Sequence, residues 1–81
     1  MQHTLKLFAS LRDVAAADAL VVELPEGATA GDLFEAVARN HPALADHLAG
    51  TRLAAGMRFV DRSWPLEAGQ ELALIPPVSG G

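Results

Sequence analysis

Hydrophobic and polar residues alternate at the start of the chain, and the period then changes. Leu5 and Leu7 alternate with Thr4 and Lys6, the period-two pattern of a half-buried strand over residues 2–8. Phe8 falls on the face opposite the two leucines. The alanine-rich run at 9–17 favours a short helical turn. A second alternation sets Leu20, Val22 and Leu24 against Val21 and Glu23, predicting a strand over 19–24 that Pro25-Glu26-Gly27 closes as a turn. From Thr29 the spacing becomes helical. Ala30, Leu33, Phe34, Val37 and Ala38 share one face. The Thr29 hydroxyl can cap the free amides, with Asp32 three residues on completing a capping box. Asn40-His41-Pro42 ends the helix, because a residue before proline avoids the α region.

The second half is built of shorter pieces. Residues 43–48 predict one further turn, broken by Gly50. Arg52–Ala55 and Arg58–Val60 predict two short strands around Gly56-Met57, a pairing that fits a two-residue type II′ hairpin turn. Residues 65–70 predict a turn region. Residues 71–75 predict the last strand, with Leu72 and Leu74 on one side and Ala73 and Ile75 on the other.

Strand, strand, helix, strand, strand, strand is an α+β order in which one main helix covers one face of a small sheet. The expected core is Leu5, Leu7, Leu20, Val22, Leu24, Leu33, Phe34, Val37, Leu72 and Leu74. Residues 1–75 form the domain and residues 76–81 a tail. Phe8 and Ile75 fall outside the helix-covered phase. Together with Met57 and Phe59 they are candidates for an apolar patch of the kind that marks an interface.

Composition narrows the function. The chain has 81 residues, enough for one small domain. A net charge of -4 argues against a nucleic-acid partner. With no cysteine there is no disulfide, no thiolate metal site and no cysteine nucleophile. His3, His41 and His47 lack paired ligand spacing and read as exposed loop histidines, so no metal is expected. Arg52, Arg58 and Arg62 read as a solvated face. Asp61 and Glu67 lack a catalytic pairing. Gly27 and Gly31 miss the spacing of a phosphate loop. Lys6 is the one lysine, which gives a modifier that chains through its own lysines little to use. No signal peptide and no apolar run of transmembrane length is evident, so a soluble cytoplasmic protein away from membranes is expected.

The distinctive stretch is the end. An apolar strand stops at Pro76-Pro77, followed by Val78-Ser79-Gly80-Gly81. Proline fixes φ and donates no hydrogen bond, so the chain is expected to leave the domain extended and stiff. Glycines without Cβ let another protein close tightly around the backbone. The sequence stops at Gly81, whose α-carboxylate is therefore expected to be free. Such a narrow segment suits insertion into another protein's active site.

These features resemble the ubiquitin-like β-grasp fold, a mixed sheet packed on one main helix with a flexible C-terminal tail. Pro76-Pro77-Val78-Ser79-Gly80-Gly81 is similar to the end of the MoaD family, the small sulfur-carrier subunit of molybdopterin synthase. Phe8-Ala9-Ser10-Leu11-Arg12-Asp13 resembles that family's segment after the first strand. Phe59-Val60-Asp61-Arg62-Ser63-Trp64-Pro65-Leu66, with Gly69 and Glu71, resembles its late segment. The resemblance covers essentially the whole chain. One departure is Ala55-Gly56, where members commonly carry Val-Asn.

The resemblance implies a cycle on Gly81. A MoeB-like enzyme adenylates its carboxylate with ATP, and a sulfur donor converts it to a thiocarboxylate. The tail, Pro76, Pro77, Val78, Ser79 and Gly80, then inserts into a MoaE-like large subunit, where the sulfur builds the dithiolene of molybdopterin. Phe8, Met57, Phe59 and Ile75 are the implied docking residues for both partners. The carrier binds no cofactor and is a non-catalytic subunit of the synthase. Two alternatives stand beside this reading: a sulfur carrier for thiamine or tRNA thiolation, and a ubiquitin-like modifier conjugated to lysines.

Overall fold

The computed structural model describes residues 1–77. Its elements are β1 (Gln2–Leu7), α1 (Ala9–Ala15), β2 (Ala19–Glu23), α2 (Ala30–Asn40), α3 (Pro42–Ala45), β3 (Arg52–Ala55), β4 (Arg58–Val60) and β5 (Leu72–Ile75). The five strands form one sheet in the order β2-β1-β5-β3-β4. β1 pairs antiparallel with β2 and parallel with β5, and β3 pairs antiparallel with both β4 and β5, so the sheet is mixed. The division into residues 1–75 and a tail follows the end of β5 at Ile75. Of the expected flexible tail, 76–81, residues 78–81 lie outside the described residues.

Register explains the core. Leu7, Leu74, Leu53 and Val60 stand in one cross-strand row. Leu20, Leu5, Leu72 and Ala55 stand in the next. Every residue of the expected core is buried, and Leu11, Leu44, Leu48, Leu53 and Leu66 join it. Burying each such leucine contributes about 1.5–3 kcal/mol before entropy is counted. The apolar stripe of α2 seals this face through Ala30, Leu33, Phe34, Ala36 and Val37.

The start of α2 carries the expected capping box. Thr29 Oγ1 accepts from the Asp32 amide at 3.3 Å, and Asp32 Oδ2 accepts from the Thr29 amide at 2.9 Å. Two further amides of the first turn, Ala30 and Gly31, donate to the carbonyls of Trp64 and Arg62, each at 2.9 Å. The 61–66 loop is thereby tied to the helix start. Asp61 shapes that loop by accepting from the amide and hydroxyl of Ser63. The Ser63 hydroxyl above all, and then its amide, hold the Asp61 carboxyl below the usual carboxylate range. Its role is a turn, in keeping with the lack of a catalytic partner.

Three expectations need correction. His3 is not an exposed loop residue. It lies in β1 opposite Val22 and is 3% exposed. Its alternation with Leu5 and Leu7 carries it onto the covered face. The arginines do not share one face. The Arg52 guanidinium lies 3.8 Å over the Phe59 ring, whereas Arg62 lies 4.6 Å over Phe34 of α2. The β3–β4 turn is not type II′. Gly56 and Met57 both have positive φ, 56° and 72°, which defines type I′, the turn whose twist matches that of paired strands.

Candidate docking face and tail root

Among the described residues, no layer covers the face of the sheet opposite α2. The same registers that align the leucines align the alternate residues here. Ala19, Lys6, Ala73, Ala54 and Phe59 form one row across all five strands. Ile75 stands opposite Arg52 in the next row. Phe8 follows Leu7 as Ile75 follows Leu74, so the two occupy equivalent places at the ends of neighbouring parallel strands. Phe8 is 44% exposed and Phe59 51%, while Ile75 is half-buried.

Arg52 joins the two sides of this patch. It pairs with Ile75 in register and stacks on Phe59, a cation–π contact worth about 0.5–1 kcal/mol at an exposed site. Lys6 is exposed in the middle of the face. From β1 to β4 the surface is therefore apolar with two cations, and Glu23 stands on the same face at the β2 edge, in a chain whose net charge is -4. That mixture suits a partner presenting apolar groups beside carboxylates.

Met57 stands apart from the other three candidates. It is 94% exposed at the tip of the β3–β4 hairpin, beyond the Ala55–Arg58 pair. Ile75 faces the other end of β3, about 10 Å away at the usual rise per strand residue. Sequence reasoning passed over Val21, which is 59% exposed at the opposite edge of this face. Its signal was its phase: Val21 alternates with Leu20 and Val22, which point into the core.

The tail begins at the middle of the sheet. β5 lies between β1 and β3, so the chain leaves from a central strand. Pro76 is half-buried and Pro77 exposed. Neither has an N–H, so neither can donate to β3 or β1 and extend the ladder. Val78, Ser79, Gly80 and Gly81 lie outside the described residues. Among the described residues no group of three or more histidine or acidic side chains could hold a metal ion. No helix among them is long and apolar enough to cross a membrane.

Residues 5–81 match the model of the ThiS family. The chain belongs to that family. A relative, small archaeal modifier protein 1 of Haloferax volcanii, is 37% identical over 94% of this chain and 97% of its own. The molybdopterin synthase sulfur carrier subunit of Chlamydomonas reinhardtii is 36% identical over the full length of both chains. The crystal structure of SAMP1 from Haloferax volcanii matches with a TM-score of 0.89 at 32% identity, covering 100% of both chains. These likenesses bear out the β-grasp fold and the resemblance to the MoaD type of carrier within the ThiS family.

Proposed function

We propose that this chain is the sulfur-carrier small subunit of a molybdopterin synthase. The observation that carries the reading is the placement of the tail's root at Pro76 and Pro77. That root leaves a central strand beside an uncovered face of Phe8, Ile75, Arg52 and Phe59, in a chain similar end to end to a molybdopterin synthase sulfur carrier subunit. A partner docked on that face receives the tail directly.

The chemistry belongs to the α-carboxylate of Gly81. A carboxylate is a poor electrophile, and its adenylation by a MoeB-like enzyme with ATP supplies a good leaving group. A sulfur donor then displaces AMP and leaves a thiocarboxylate, a sulfur nucleophile in a chain without cysteine. Pro76, Pro77, Val78, Ser79 and Gly80 carry that group into a MoaE-like large subunit, which supplies the acid–base groups for dithiolene formation. The carrier itself contributes no catalytic side chain and no bound cofactor, and it works in the cytoplasm.

A second reading is favoured by the likeness to small archaeal modifier protein 1. A modifier uses the same activated terminus but transfers it to a target amine. Lys6 pairs with Ala73 on the open face of the sheet. With Lys6 as the one lysine, a modifier of this sequence has little to chain through. A carrier serving thiamine or tRNA thiolation remains the third possibility, since it shares the activation step and differs only in the acceptor.

The test is an added alanine after Gly81. It moves the reacting carbon past the adenylation site, where misplacement of a reacting atom has steep effects. Adenylate and thiocarboxylate formation, read by intact mass, should be lost, with the melting temperature nearly unchanged because β5 ends at Ile75. Untrimmed extended chain that is activated as well as the native one would overturn the sulfur-carrier reading. Isopeptide adducts with no sulfur delivered to the pterin would select the modifier.

A further inference from the structure

The turn before β3 makes a contact that the docking face does not account for. Arg52 opposes Ile75 in the antiparallel β3–β5 ladder. Continuing that register by two places sets Thr51 opposite Pro76 and Gly50 opposite Pro77. The hydrogen bonds stop there, because the prolines have no N–H. Packing does not stop. A Cβ placed on Gly50 would lie 3.4 Å from Pro77 Cγ, 3.7 Å from its Cβ and 3.9 Å from its Cδ. The pyrrolidine ring therefore sits against bare glycine backbone. Gly27, Gly56 and Gly69 also have positive φ, but a Cβ there meets nothing within 4 Å.

The turn that presents Gly50 is held firmly. Thr51 is 7% exposed. Its hydroxyl donates to the His47 carbonyl at 2.7 Å and its amide to the Leu48 carbonyl at 3.0 Å. Leu48, two residues before Gly50, is buried in the core. Gly50 itself has φ +81°, a conformation that favours glycine. Two stiff elements thus meet: a proline with fixed φ, and a turn anchored by a side-chain bond and a core leucine.

We infer that Gly50 is a positioning residue for the tail: its bare backbone seats the Pro77 ring and sets the direction in which the chain leaves the sheet. The inference rests on the proposed function for its consequence, since aim matters only if Gly81 must reach a partner's active site. Docking and aim are then separable. Phe8, Ile75, Arg52 and Phe59 set how tightly the partner is held. Gly50 sets where the tail points once the partner is held. A free tail would search many directions, and a seated root removes part of that search before binding.

Gly50→Asn separates the two roles. Asparagine tolerates the left-handed region, so the turn can form, but its Cβ already meets the Pro77 ring at contact distance and the amide beyond it must compete with the ring for the same surface. Gly69→Asn is the control, with φ +74° and open space at its Cβ. Steady-state adenylation by a MoeB-like enzyme is measured on the native chain and both variants. Gly50→Asn should lower kcat about tenfold, an effect of misaligned reacting groups, with KM within about twofold. Gly69→Asn should leave both near native. Nuclear Overhauser contacts between the Gly50 Hα protons and the Pro77 ring should appear in the native chain and vanish in Gly50→Asn. Native kinetics in a folded Gly50→Asn, or a native chain without those contacts, would overturn the inference. A native chain that shows the contacts but is not activated would retain the seat and overturn the proposed function instead.

Discussion

The two faces of the sheet are drawn from the same strands by alternate residues, yet they obey different rules. The covered face takes Leu5, Leu7, Leu53, Leu72 and Leu74, none more than 3% exposed. It also buries His3, 3% exposed. The open face takes Val21, Glu23, Lys6, Ala73, Arg52 and Phe59, mixing apolar groups with charges. A face that must hold the fold alone is chosen for volume and the absence of charge. A face that must stay in water until a partner arrives needs charge for solubility and apolar area for docking. Arg52 over Phe59 serves both needs, since the guanidinium covers the ring while its charge stays hydrated. Mutations on the two faces should therefore register in different assays.

The largest effect is expected on the covered face. Leu74 is 0% exposed and stands between Leu7 and Leu53. Leu74→Ala leaves a cavity between three strands and should cost about 2–5 kcal/mol, a large share of the 5–15 kcal/mol typical of a domain. Urea denaturation should show the loss with an unchanged m-value. At temperatures where the variant is still folded, affinity for a MoaE-like partner should be near native. A variant that loses docking while keeping its stability would erase the division between the faces.

The next effect is on the open face. Ile75→Asp puts a carboxylate opposite Arg52, a cross-strand pair that the sheet tolerates. The fold should persist, as judged by circular dichroism. Docking to the large subunit should weaken by about 1 kcal/mol or more, because a partner that buries this position must desolvate a carboxylate and its arginine where it met an isoleucine. Titration calorimetry measures it. Unchanged affinity in a folded variant would remove Ile75 from the interface and leave Phe59 and Phe8 as the patch.

How much of this could be read from the sequence depended on the length of each repeat. The alternation of Leu20, Val22 and Leu24 and the helical spacing from Ala30 to Val37 are long enough to give phase, and phase gave burial. Leu11, Leu44, Leu48 and Leu66 sit in segments too short for a period to emerge, so their burial is visible only once the elements pack. His3 was misread because its residue type outweighed its phase. Gly56 fits the first place of either primed turn, and the φ of Met57 decides between them. The residues of the open face were legible where phase alone sufficed, as for Phe8 and Ile75. Separating Met57 from them required the β3–β4 register, and linking Gly50 to Pro77 required the β3–β5 register, neither of which a single strand's pattern contains.

The smallest effect sharpens the boundary of the open face. Met57 combines two unfavourable features, a 94% exposed hydrophobic side chain and φ of 72°. An L residue in the left-handed region costs about 1–2 kcal/mol, while glycine costs about 0.5–1 kcal/mol more chain entropy than alanine does. Met57→Gly relieves the first and adds the second, so the net gain should be about 0.5–1 kcal/mol. For a domain of this size that raises the melting temperature by about 2–8 °C. Strain retained at an exposed position is characteristic of sites that bind. If Met57 contacts the partner from the hairpin tip, the stabilised variant should dock more weakly. Higher stability with native affinity would end the docking face at Phe59 and leave Met57 outside it. A melting temperature that stays or falls would show that the turn holds no strain at Met57, and the argument from strain to binding would go with it.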